Sequence, residues 1–375
     1  MQSQPPIHAS YLLSPSMQPA YECSAERDTT VHLSLSKRAL VGALGVVLLA
    51  GACSSSSSDT TLNGSGSSFQ KPFDEAAIAA YQSKNSDVTI NYSGGGSGKG
   101  KSDLQTKTVD FAGTDSTVKP EDLGSYQGGA ILYFPTVAAP ITVSYNVNGL
   151  DTLSLSPKTL AQIFQAKITK WNDAAIAKDN PGVTLPSTPI VIVHRADGSG
   201  TTSNFTKYLA DAAGSTWTLG SGDTVNWPTN SQAGTGNPGV AQIVGQTNGS
   251  IGYVDYADAT GAKLKTASIV NADGKSVAPT LAGAAAAVAS SEIAPDLTYS
   301  PLNQPGAEAY PITAPTWIIA YKNQTSKDKG DALKAFLQYL LTEGQGIAET
   351  NNYAKLPESL RQKAEAQLSQ LQISS

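Results

Sequence analysis

VTINYSGGGSGKGKS, Val88 to Ser102, is the stretch that decides how the chain is to be read. Val88 to Tyr92 alternates apolar and polar residues as a strand does, glycines follow, and a helix is expected from near Lys101. From Gly95 onward the same residues satisfy G-x-x-x-x-G-K-[ST], with Gly95, Gly100, Lys101 and Ser102 at the fixed places, which is the ATP-gripping P-loop pattern. A strand that turns through glycines into a helix offers free backbone N–H groups and the positive end of the helix dipole to an anion. The stretch therefore predicts an α/β protein with an anion site and leaves open whether that anion is a nucleotide.

Working outward, short β-branched runs read as strands at Val88–Tyr92, Ile141–Asn146, Ile190–Val193, Ile251–Val254 and Trp317–Tyr321. Helical patterns lie between them, at Pro72–Gln82 and Leu160–Phe164 among others, and the alternation predicts an α/β fold. Leu333, Phe336, Leu337, Leu340 and Leu341 fall at i, i+3, i+4, i+7 and i+8, one apolar helix face belonging to the core. Two segments look alike, Phe134–Tyr145 and Tyr310–Tyr321: each is aromatic-proline, a step of small residues, then a strand. They read either as a pair of stiffened crossings between two lobes or as two unrelated edge strands that begin at prolines.

The amino-terminal region addresses the chain. Lys37-Arg38 precede an apolar run, Ala39–Ala52, too short to span comfortably as a membrane helix and suited to an export signal. Leu49-Ala-Gly-Ala-Cys53 followed by Ser54–Ser58 resembles a bacterial lipoprotein signal, with Cys53 as the lipidated first residue of the mature chain and the serines as a tether; an ordinary secretory signal cut nearby is the alternative. Residues 1–36 do not fit a signal, and a start at Val31 would remove residues 1–30 of them. The expected organisation is a signal region at 1–52, a lipidated tether at 53–61, and a mature chain of 375 less 52, or 323, residues.

Composition excludes several classes. After Cys53 there is no cysteine, so neither a disulfide framework nor thiolate chemistry is available. Of three histidines only His194 remains in the mature chain, which argues against a Ser-His-Asp hydrolase or a multi-histidine metal centre. His194 ends a strand-like run and reads as a packing residue. A net charge of −5 without a clustered basic face gives no reason to expect a nucleic-acid partner.

Chemistry concentrates in four places: Gly64-Ser-Gly-Ser-Ser-Phe69, the Gly94–Ser102 loop, Phe111-Ala-Gly-Thr-Asp115-Ser116, and Arg195-Ala-Asp-Gly-Ser-Gly-Thr-Thr202 leading into Phe205–Ala213. Three of them deliver amides and hydroxyls at a helix start, and Arg195 adds a fork of donors suited to a tetrahedral oxyanion. Singly each reads as a plain cap or a surface ion pair; together they make a phosphate-sized cage if they converge.

These marks, with Thr108–Asp115, Lys167–Asp173 and Ile251–Tyr256, resemble the phosphate-binding proteins of bacterial phosphate-specific ABC importers over nearly the whole mature chain. The resemblance implies a two-lobed periplasmic-binding-protein fold of type II, with lobe I at 62–136 and 313–375, lobe II at 137–312, and crossing strands as the hinge. It implies phosphate held by Ser68, the Phe69 amide, a serine of the Gly94 loop, Asp115, Arg195, and the Ser199-Gly200-Thr201 helix start, with Asp197 holding Arg195. This chain has Gly98 where the family commonly has a serine, so the loop contact is assigned to Ser97. Further implications are permease subunits as partners, a monomer, a lipid anchor at the cell membrane, no cofactor and no metal.

Asp115 carries the most mechanistic content. A carboxylate against a bound anion repels it unless the ligand brings a proton to share, which phosphate does near neutral pH and sulfate does not. An exported protein meets no cytoplasmic ATP, so the P-loop match reads as a shared physical device, glycine amides presented to phosphate, and not as an ATPase. Lys99 and Lys101 read either as positive potential at the cleft mouth or as solvated helix-start lysines. The competing readings are a secreted phosphatase or serine hydrolase, the same fold with sulfate, molybdate or phosphonate, and an extracellular sensor or adhesin.

Overall fold

The computed structural model describes residues 59–375. The signal region 1–52, the lipidation site Cys53 and the tether's serines lie outside the described residues.

The frame is a nine-stranded sheet. Its elements in chain order are β1 (Thr60–Gly66), α1 (Lys71–Gln82), β2 (Val88–Ser93), α2 (Ser97–Gln105), β3 (Phe111–Thr114), β4 (Ile131–Asn146), α3 (Pro157–Phe164), β5 (Val191–Arg195), α4 (Gly200–Ala212), β6 (Gln232–Gly234), α5 (Gly236–Gln246), β7 (Ser250–Asp255), α6 (Tyr256–Gly261), β8 (Lys265–Thr266), β9 (Thr313–Tyr321) and α7 (Lys327–Leu341). The strand order is β2-β1-β3-β9-β4-β7-β5-β6, with β8 also on β4. β1, β2 and β3 run parallel, as do β7, β5 and β6, while β9 and β4 are antiparallel to their neighbours.

β4 joins the two halves. Its residues 131–140 pair with β9, and from Ile141 to Asn146 it pairs instead with β7. The two aromatic-proline segments are therefore partners at the centre of the sheet, not edge strands: Thr313 faces Pro140 and Trp317 faces Pro135. Proline cannot donate to a ladder, and the register shifts between Pro315 and Trp317. Side chains repair the gap. Thr316 Oγ1 accepts from the Val137 amide at 3.2 Å and donates to the Val137 carbonyl at 2.8 Å.

The stripe expected at Leu333–Leu341 lies on α7, where Leu333, Phe336, Leu337 and Leu340 are fully buried. Each such side chain contributes about 1.5–3 kcal/mol by burial. Two boundaries differ from expectation. α2 starts at Ser97 and not near Lys101, while α4 starts at Gly200 behind the Ser199 cap, where the Ser199-Gly200-Thr201 helix start was expected. Glycine and serine are poor helix formers, yet the Gly98 amide is held by the Gly198 carbonyl and the Thr202 amide by the Ser199 cap, so the strand before each helix sets its start. β1 begins at Thr60, inside the expected tether. Its Thr-Thr-Leu-Asn-Gly-Ser-Gly run has little intrinsic strand preference, but it is paired on both sides, by β2 and β3.

Candidate functional site

Five loops leave the carboxyl ends of the parallel strands β1, β2, β3, β5 and β6, which is where open α/β sheets place ligands. Four of them run directly into the first turns of α1, α2, α4 and α5. The backbones approach closely. The Gly96 amide donates to the Gly66 carbonyl at 2.9 Å, and the Gly98 amide to the Gly198 carbonyl at 3.0 Å. Gly96 has φ +89°, and a Cβ there would stand 2.3 Å from an Asp197 carboxylate oxygen, so this position requires glycine. A Cβ on Gly200 would meet Ser97 Oγ at 2.6 Å and the Asp115 carboxyl carbon at 2.7 Å.

Asp115 is the centre of this arrangement and is 1% exposed. Ser97 Oγ donates to its Oδ1 at 2.8 Å, Thr201 Oγ1 to its Oδ2 at 3.3 Å, and its own amide donates to Ser97 Oγ at 3.2 Å. Asn204 Nδ2 donates to its backbone carbonyl at 2.5 Å and so ties β3 to α4. Burial pushes the Asp115 carboxyl above its ordinary value, against the pull of hydroxyls from Ser67 and Ser97 and of the Arg195 guanidinium. Such a carboxyl gains from a partner that brings a proton. A cavity of about 480 Å³ opens beside it, with Asn204, Lys207, Tyr299 and Trp317 also on its wall.

Arg195 is buried at the end of β5 and gripped from several sides. Nε donates to Asp197 Oδ1 at 2.9 Å and Nη2 donates to Asp197 Oδ2, the bidentate fork that fixes a guanidinium plane. Asp197 is itself anchored by the Gly236 amide at 2.9 Å. Nη1 reaches Thr201 Oγ1 at 3.4 Å and Asn237 Oδ1 at 3.3 Å. Ser199 caps α4, its hydroxyl accepting from the Thr202 amide at 3.1 Å.

The expected residues Ser97, Asp115, Arg195, Asp197, Ser199, Gly200 and Thr201 are thus brought together, and Ser68 joins them through Asn237, whose amide donates to Ser68 Oγ at 3.2 Å. Ser97, the residue assigned in place of the missing serine, is buried and meets Asp115 directly. The Phe69 amide sits in the same loop but donates to Ser67 Oγ at 3.0 Å, so an anion there would have to share or replace that bond. Sequence reasoning missed Asn237, Ser67 and Asn204. Thr235-Gly-Asn-Pro238 repeats the strand, glycine, helix arrangement that marked the other loops, and that signal would have found Asn237.

Lys99 is exposed and pairs with Asp103 one turn on, a solvated helix pair. Lys101 does something else: its Nζ lies 2.7 Å from Asp223 and 2.9 Å from Ser116 Oγ, while Ser116 Oγ donates to Asp223 at 2.9 Å. This clasp ties α2 and the β3 loop to the segment after α4. Asp255, the aspartate a nucleotide enzyme would want for Mg²⁺, caps α6 by accepting from the Asp258 amide at 2.9 Å. His194 stacks on Trp227 with ring centroids 5.3 Å apart, and its Nδ1 lies 2.9 Å from the Arg195 carbonyl oxygen, which makes it a packing residue. Burial lowers its basicity. Among the described residues no group of three or more His, Cys, Asp or Glu could hold a metal ion, and no helix is long and apolar enough to cross a membrane.

Residues 52–343 match the model of the PBP superfamily domain, a class of two-lobed periplasmic-binding folds. The phosphate-binding protein PstS of Pasteurella multocida is 36% identical over 313 residues, covering 82% of this chain and 89% of the relative. PstS 3 of Mycobacterium leprae is 35% identical over 316 residues, 81% of this chain and 85% of the relative. That of Methanocaldococcus jannaschii is 36% identical over 320 residues, 79% and 82%. The chain belongs to the PstS phosphate-binding protein family. Solved structures agree on the fold. A high-affinity periplasmic phosphate-binding protein bound with phosphate superposes with a TM-score of 0.69 at 20% identity, covering 82% of this chain and 93% of its own. The phosphate-binding protein of Stenotrophomonas maltophilia gives 0.65 at 20%, covering 82% and 94%.

Proposed function

We propose that this protein binds inorganic phosphate with high affinity outside the cytoplasm, in the cleft between its two lobes, and delivers it to a phosphate ABC importer. The observation that carries the reading is the buried Asp115 carboxyl facing Ser97, Thr201 and the arginine-centred donor set, an acceptor built into a cage of donors. Ser68, the Phe69 amide, Ser97, Asp115, Arg195, Ser199, Gly200 and Thr201 contact the anion in this reading, and Asp197 holds Arg195. A charge-assisted hydrogen bond contributes about 1.5–3 kcal/mol and micromolar affinity needs about −8.2 kcal/mol, so a cage of this size also covers closure and desolvation. Surface acidity is screened over a Debye length of about 8 Å and does not outweigh it.

Lobe I comprises residues 62–136 and 313–375 and lobe II residues 137–312, so that β4 and β9 are the hinge; the change of β4's partner at Ile141 supports that placement. The protein is a receptor and not an enzyme: the one histidine among the described residues is committed to Trp227 and its own strand, away from Ser97 and Ser199 as a base. It works as a monomer held to the membrane through a lipid on Cys53 and docks on permease subunits. Equilibrium dialysis with labelled phosphate, with small-angle scattering on the same samples, tests this. The reading expects saturable one-to-one binding accompanied by compaction, and absence of binding after removal of endogenous phosphate would overturn it.

A further inference from the structure

We propose that Asn237 is a positioning residue that sets the polarity of two cleft hydroxyls, Thr201 and Ser68, so that both present their protons to the anion. The inference rests on the phosphate reading above and deepens it. Asn237 lies in the first turn of α5, is fully buried, and sits where the β6 loop reaches both Arg195 and the β1 loop.

Its orientation follows from what its neighbours are able to do. A guanidinium only donates, so the Asn237 atom 3.3 Å from Arg195 Nη1 must be the carbonyl Oδ1. That leaves Nδ2 to face Thr201 Oγ1 at 3.2 Å, where it donates. Thr201 Oγ1 also accepts from Arg195 Nη1 at 3.4 Å. A hydroxyl has two lone pairs and one proton; with both lone pairs engaged, Thr201 acts as a donor, and its proton goes to Asp115 Oδ2 at 3.3 Å. When an anion enters and brings its own proton to Asp115, the Thr201 proton is free to turn to an anion oxygen.

The second hydroxyl is governed by the backbone of the same residue. The Asn237 amide donates to Ser68 Oγ at 3.2 Å, so the Ser68 proton points away from α5. One residue thus orients hydroxyls carried by two different loops. Its carbonyl also holds Arg195 Nη1, while Asp197 holds Nε and Nη2. A site whose donors are oriented before the ligand arrives does not lose affinity to their reorientation.

The test is a double-mutant cycle on phosphate affinity, read by titration calorimetry on wild type, N237A, T201V and N237A/T201V, with the melting temperature of each phosphate-free protein as a control. N237A is expected to weaken phosphate about tenfold, and in the T201V background to add only about a further threefold, the share owed to its hold on Arg195 Nη1, because the hydroxyl it acts through is gone. Additive losses, as from a purely structural role, would overturn the proposal. N237D keeps the volume and the acceptor facing Arg195 but turns the donor to Thr201 into an acceptor and adds negative charge. It is expected to cost at least about a hundredfold in affinity, and affinity within about twofold of wild type would overturn the proposal should N237A not fold. Wild type that fails to bind phosphate would refute the receptor reading itself, an outcome distinct from a cycle that comes out additive.

Discussion

Replacing Asp115 by asparagine changes the one acceptor in a cage of donors while keeping its shape. The structure sets the magnitude. Thr201 Oγ1 stands 3.3 Å from Asp115 Oδ2, so an anion oxygen that takes the Thr201 proton lies within about 6 Å of that carboxylate oxygen, and a charge separation of about 4 Å is a mid-range value. Two unit charges about 4 Å apart interact by roughly 4 kcal/mol at an effective dielectric of about 20. Arg195 offsets about half of that repulsion in a simple charge balance, which leaves about 2 kcal/mol, or roughly thirtyfold, against a ligand without a proton. Sulfate is that ligand. Phosphate avoids the repulsion by donating its proton, and loses about fivefold when the charge-assisted bond becomes a neutral one. Calorimetric titration of both anions into wild type and D115N should show the phosphate-to-sulfate preference falling about a hundredfold, mostly through tighter sulfate binding. A preference unchanged in D115N would refute the repulsion argument. The phosphate-free variant should also melt higher at pH 8 than wild type, since burial penalises the ionised form of Asp115 and asparagine has none.

Asp74 on α1 is fully buried, and burial raises its carboxyl from 3.8 to about 8 despite a hydrogen bond from Gln70. A carboxyl raised by folding holds its proton longer folded than unfolded, so its stabilisation is complete below 3.8 and is lost as pH rises toward 8. Thermal unfolding from pH 4.5 to 8.5 (about that window) should show wild type losing on the order of 4 kcal/mol more than D74N. Equal slopes would contradict it. K101A removes the clasp to Asp223 and Ser116, a half-buried pair, and should weaken phosphate about threefold and speed its release. A loss beyond about a hundredfold would instead make Lys101 a ligand residue of P-loop type.

Much of this was legible because the sequence writes the same physics repeatedly. Val88–Gly96 and Ile190–Gly200 are strands ending in glycines before a helix, and both deliver their loops to the site. The matched Phe134 and Tyr310 segments drew attention as a pair, with edge strands left open, and their prolines and small residues are what two long, bulged strands tolerate where they meet. What escaped notice depended on partners distant in sequence. β1 is polar and glycine-rich, and it is a strand because β2 and β3 lie on either side. Asn237 looks like a turn residue until Arg195, Thr201 and Ser68 surround it. The Lys101 clasp needed Asp223, which stands in a Gly-Ser segment without pattern. The P-loop match misleads for the same reason: its lysine is defined by the carboxylate it meets, not by its place in the motif.

The most direct test of the central claim is calorimetric titration of phosphate into the purified protein stripped of endogenous phosphate, with sulfate and Mg-ATP as parallel ligands. Phosphate should bind tightly and one-to-one, with neither sulfate nor Mg-ATP binding appreciably at the same concentrations. Tight Mg-ATP binding with weak phosphate would contradict it and make Gly95–Ser102 a nucleotide site.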